Sequence, residues 1–204
     1  MRTTSVRSRR LSVLLAAITL PVPAHAHLVT TGLGPFYDGI THFFVSLEDL
    51  LPALALALLA GLQGARAGRY ALFCLTIAWF VAGFAAMLRP TEITTPALAA
   101  FVLLGFGALA AADRRVPDAL VRALAVLFGT VGGYLSASAI AVETELTELA
   151  VLGASVALFA VVALAAAAAV VAKRAPGRIV ARVAASWLAA IGLLRLGWWL
   201  GNGS

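Results

Sequence analysis

The segment from Gly39 to Leu51 sets one imidazole, His42, and two adjacent carboxylates, Glu48 and Asp49, inside a long apolar stretch. An ionisable side chain near the bilayer core costs at least about 2.5 kcal/mol on insertion scales. Three in so short a segment imply an offsetting task, and an imidazole beside carboxylate oxygens is a donor set for a divalent metal ion. On a helix advancing about 100° per residue, Asp38, His42, Ser46 and Asp49 share one stripe, because spacings of four, four and three return to the same face. Glu48 points away from it. His42 falls about one turn inside the apolar boundary and Asp49 about 10 Å deeper, at a rise of about 1.5 Å per residue. The stripe reads as a ladder descending from the surface. The ordinary alternative is a histidine at the membrane interface with the carboxylates paired to an arginine for assembly. Arg195, at comparable depth in the last apolar segment, is the candidate partner of Glu48 or Asp49.

The elements that must position these groups are membrane helices. Of 204 residues, 62% are hydrophobic and 12% charged, and the mean hydropathy is +1.00. A soluble domain with a polar surface is far less apolar. Six segments of bilayer-crossing length follow one another near 39–62, 70–88, 95–112, 119–140, 147–172 and 180–200. The connectors between them are too short to hold a soluble domain. Backbone polar groups in lipid must be satisfied internally and no alternating strand pattern is present, so an all-α membrane fold is expected. The formal charge of +6 is no nucleic-acid footprint, because four of the fifteen basic residues lie among the first ten residues and the rest are spread over loops.

Residues 1–26 follow the plan of a cleavable secretory signal: a basic stretch to Arg10, an apolar core from Leu11 to Leu20, and small residues before the cleavage point. Cleavage after Ala26 makes His27 the new N-terminus of a six-helix domain over 27–204. Cleavage after Ala24 leaves His25 there instead. An N-terminal amine close to an imidazole can chelate a late transition metal, so His27 joins His42, Glu48 and Asp49 as a candidate metal ligand. The ordinary alternative is that both histidines are incidental to the cleavage site.

Signal cleavage puts His27 outside the cell membrane, and the loop charges agree. The connectors expected inside hold Arg66, Arg69, Arg114, Arg115, Lys173, Arg174 and Arg178, and those expected outside hold only Arg89. Both mature termini are then periplasmic, with Trp198 and Trp199 at the outer interface. Glu92, Glu143, Glu145 and Glu148 form an acidic outer rim, either simply solvated or collecting cations. Gly129, Gly132 and Gly133 with Ser136 and Ser138 predict a small-residue packing face, and Ala165 to Ala169 another. Pro52 is expected to kink the first span. Cys74, the only cysteine, excludes an internal disulfide and reads as a packed thiol.

His27, Gly32, Gly34, Phe36, Gly39, His42, the Glu48-Asp49 pair and the run Leu58 to Arg69 together resemble the HupE/UreJ family. These are small membrane proteins regarded as nickel or cobalt permeases or accessories of hydrogenase and urease systems. In that family a histidine is followed by a glycine and then an Asp-His pair. Here His42 matches the histidine, Ser46 stands for the glycine, Glu48 for the aspartate and Asp49 for the second histidine. In the fourth span the family carries a His-Gly-Tyr-Ala-His type of element, where this chain reads Gly132-Gly133-Tyr134-Leu135-Ser136, with both histidines gone. The resemblance implies six spans and a divalent cargo, nickel in the first instance. The exchange of imidazole for oxygen also opens manganese, magnesium, another cation or no metal.

The leading expectation is an inner-membrane permease or transport accessory that takes a divalent transition metal from the periplasmic side, with no permanently bound cofactor. The alternative is a non-transporting metal-binding or assembly protein that supports a metalloenzyme or a membrane complex. A metalloenzyme maturation system and a second copy of the chain are the partner classes left open. An enzyme is not expected, since there is no Gly-x-Ser-x-Gly or His-Glu-x-x-His arrangement.

Overall fold

The computed structural model describes residues 31–91, 96–143, 147–172 and 175–202, and among these every regular element is a helix. There are seven: α1 (Pro35–Val45), α2 (Leu47–Gln63), α3 (Ala65–Leu88), α4 (Pro96–Ala112), α5 (Asp118–Glu143), α6 (Thr147–Val171) and α7 (Ala175–Asn202). Among the described residues α3, α5, α6 and α7 are long and apolar enough to cross a membrane, and α1 with α2 passes that test only as a bent pair. Helix α4 is apolar but has 17 residues, at the short limit for a crossing. The signal segment and His27 lie outside the described residues.

The segment expected to form one first span is two helices meeting at 71°. The break falls at Ser46, whose extended backbone (φ −72°, ψ 95°) ends α1 and starts α2. Ser46 N–H still donates to the His42 carbonyl at 2.8 Å, whereas the Asp49 and Leu50 amides turn to the Ser46 carbonyl at 3.1 and 3.0 Å. Pro52, the expected kink, instead lies inside α2 without ending it. Irregular backbone at membrane depth is tolerated only where protein buries it or where it lines a polar cavity.

Helix α2 is the axis of the bundle. Ala53, Ala55, Leu56, Ala57, Leu59 and Ala60 are completely buried, as expected of a helix apolar on every side. It packs against α3, α4, α5, α6 and α7. Small residues let the outer helices close on one another. A Cβ on Gly129 would fall 2.7 Å from the Leu75 carbonyl oxygen, and one on Gly132 would fall 2.7 Å from the Trp79 ring, so the glycine face of α5 receives Trp79 of α3. Gly39 of α1 abuts the Ala150 carbonyl of α6, and Gly153 of α6 abuts the Phe36 carbonyl of α1. This mutual seating lays α1 across the start of α6. Helix α7 packs chiefly on α4 and exposes Trp187, Leu193, Leu194, Trp198 and Leu200, an apolar face suited to lipid.

Basic residues gather at the end where α2 meets α3 and α4 precedes α5. Arg178 donates two hydrogen bonds to Asp113, at 2.8 and 2.6 Å, and holds that carboxyl below the usual carboxylate range. Asp113 has φ 55°, the left-handed conformation of a residue just past a helix end. Gln63 ties the α2 terminus to the following loop through the Arg114 carbonyl (2.9 Å) and the Val116 amide (3.2 Å). Arg66 pairs with Asp118 at 3.2 Å, and Arg122 lies over the Tyr70 ring.

Candidate metal site at the helix break

Ser46 ends one helix and begins another at the opposite end of the bundle from this basic belt. Glu48 and Asp49 occupy the first turn of α2, where carboxylates complement the positive end of the helix. The last carbonyls of α1 converge on the same break, with the negative end of that helix. A helix interrupted in this way presents both carboxylate and backbone oxygens to one place.

The break brings His42 and Asp49 together. His42 Nε2 is 3.9 Å from Asp49 Oδ2, and the two side chains are 17% and 10% exposed. That separation is too long for a hydrogen bond. Two metal bonds of about 2.1 Å span up to about 4.2 Å, so a single ion fits between the two atoms. Asp49 is held from the other side by Ser136 of α5, whose hydroxyl donates to Oδ2 at 2.7 Å. Ser136 and Asp49 are both buried.

The other members of the expected ladder have different tasks. Asp38 accepts from the Thr31 amide at 2.6 Å and the Thr31 hydroxyl at 2.7 Å, so it fastens the turn ahead of α1. Glu48 turns away from Asp49, as its helical position requires, and accepts from Arg195 of α7 at 2.5 Å. Of the four residues proposed from sequence as metal ligands, the structure joins His42 with Asp49, gives Glu48 to Arg195, and does not describe His27. Among the described residues no group of three His, Cys, Asp or Glu side chains could hold an ion together. Ser136 is the site residue that spacing did not reveal, because it reads as one more small residue on a packing face. Its place at the end of the Gly132 to Ser136 element was the available signal.

The fold and site define a polytopic membrane protein, all-helical among the described residues, whose first apolar segment breaks beside a half-buried imidazole and a buried carboxylate. A family model described as HupE / UreJ protein matches residues 15–195. The chain belongs to the HupE/UreJ family. No curated protein and no solved structure matches it.

Proposed function

We propose that this protein is an inner-membrane permease or transport accessory for a divalent metal ion, crossing the membrane six times with both mature termini in the periplasm. The broken α1–α2 pair and the short α4 supply the two crossings beyond the four long helices. The observation that carries the reading is the close approach of half-buried His42 to buried Asp49 at the break between α1 and α2. A polar pair of this kind costs stability in a membrane bundle and is retained for a task. The ion enters from the periplasmic end, where the break lies, with His27 of the processed chain as a candidate first contact. Asp49 and His42 then take it deeper. Glu48, engaged by Arg195, serves as a fixed counter-ion instead of a ligand.

The test is accumulation of a panel of divalent ions in cells expressing wild type, His42→Ala or Asp49→Asn at matched membrane levels. Loss of one metal's uptake in both variants is expected. Uptake of every metal that ignores both residues defeats the permease reading. The accessory alternative, binding without transport to support a metalloenzyme, draws on the Glu48–Arg195 pair, because a fixed tie between α2 and α7 suits a static scaffold. It predicts binding by purified protein that depends on His42 and Asp49, with no accumulation in cells.

A further inference from the structure

We infer that Ser136 keeps the metal site on oxygen ligation and so assigns its cation to the hard, oxygen-seeking class for which Mn²⁺ is the probe. This rests on the metal-ion reading of the His42–Asp49 site and names the substrate class within it. The groups at this site come from three helices. His42 of α1 supplies one nitrogen, Asp49 of α2 a carboxylate and Ser136 of α5 a hydroxyl oxygen. Among the described residues no third histidine, cysteine or acid joins them. The side-chain donors are thus one imidazole and otherwise oxygen. Carboxylate, hydroxyl and carbonyl oxygens suit manganese and magnesium, whereas imidazole suits nickel.

Ser136 has a specific reach to this choice. Its hydroxyl donates to the Oδ2 atom of Asp49 that faces His42, across 87 positions of sequence, from a site where it is 4% exposed. By occupying one lone pair it orients the carboxylate. A hydrogen-bonded partner of a metal ligand commonly contributes about 10–100-fold to metal affinity. Nickel outranks manganese at any fixed set of nitrogen and oxygen donors, so the informative quantity is the ratio of the two affinities rather than their order. An oxygen-rich site keeps that ratio small.

The experiment measures Mn²⁺ and Ni²⁺ binding to the purified full-length protein in detergent by competition with a fluorescent chelator. The proteins are wild type, Ser136→Ala, Ser136→Thr and Ser136→His, with His42→Ala and Asp49→Asn as site controls. Ser136→Ala is expected to lower Mn²⁺ affinity at least about tenfold and Ser136→Thr to restore it. Ser136→His is expected to widen the nickel-to-manganese ratio by at least about tenfold. A ratio that none of the Ser136 variants changes, while both ions still depend on His42 and Asp49, overturns the assignment and leaves the metal site standing. Binding of neither ion to wild type removes the metal reading itself. If the histidine variant does not fold, the alanine and threonine pair decides the matter, since alanine is smaller than serine and threonine keeps the hydroxyl and adds only a methyl.

Discussion

In the proposed reading the Glu48–Arg195 pair stands apart from the metal ligands as a counter-ion pair, and its removal has a size that follows from its setting. Breaking a fully buried ion pair from one side costs about 3–5 kcal/mol, and an exposed pair contributes about 0–1 kcal/mol. Arg195 is 31% exposed and Glu48 40% exposed, so neither limit applies. A hydrogen bond to a charged group contributes about 1.5–3 kcal/mol, and partial exposure moves the expectation to a coupling of about 1–2 kcal/mol. The assay is reversible unfolding in mixed micelles of wild type, Glu48→Gln, Arg195→Gln and the double variant. Each single variant should lose about that amount, and the double variant little more than either. Single effects that add to within about 0.5 kcal/mol refute the pairing. The same proteins then report on metal. Glu48→Gln should bind ions like wild type, whereas Asp49→Asn should weaken them by at least about tenfold. An equal loss in both would return Glu48 to the ligand set and refute the division of labour between the two acids.

A side chain at Gly39 would meet the Ala150 carbonyl, so Gly39→Val should destabilise the protein by about 1–3 kcal/mol and loosen α1 from α6, read as increased hydrogen exchange in α1. Unchanged exchange would argue against that seating. Asp113 is held below the usual carboxylate range by Arg178, so its contribution is complete above that range and is lost as pH falls through the depressed value. Asp113→Asn should therefore lower stability at neutral pH by at most about 1 kcal/mol and flatten the acid limb of the unfolding profile. A profile unchanged by the substitution would place the acid sensitivity elsewhere. Reporters fused after Arg69, Arg115 and Arg174 should read cytoplasm and those after Thr94 and Glu145 periplasm; an inverted pattern defeats the topology. Mass spectrometry of the purified chain should find His27, or else His25, at its N-terminus, and an intact Met1 would end the terminal-chelate idea.

The sequence by itself determined the class of molecule. Long apolar runs with short connectors leave helices as the solution in lipid, and the lopsided arginines announce which ends share a side. It also determined that Glu48 and Asp49 face different neighbours, because adjacent helical positions diverge by about 100°. The structure bears this out in the separate bonds to Arg195 and Ser136. The family was legible too, from the residues between His27 and Arg69. What only the tertiary structure decided was the break at Ser46. Periodicity assumes an uninterrupted helix, and it placed Asp38 in one stripe with His42 and Asp49; the 71° bend falls between His42 and Asp49, which still approach to 3.9 Å, whereas Asp38 on α1 is taken by Thr31. Pro52 drew attention as the local irregularity, yet the bend falls at Ser46, on the other side of Glu48 and Asp49, while α1 is seated on α6 by the paired contacts of Gly39 and Gly153. Ser136 is the clearest case. Its neighbours are glycine and alanine on a packing face, and nothing in the local sequence distinguishes a serine that fills space from one that bonds a carboxylate 87 positions away. That difference belongs to the partner, and only the folded chain supplies the partner.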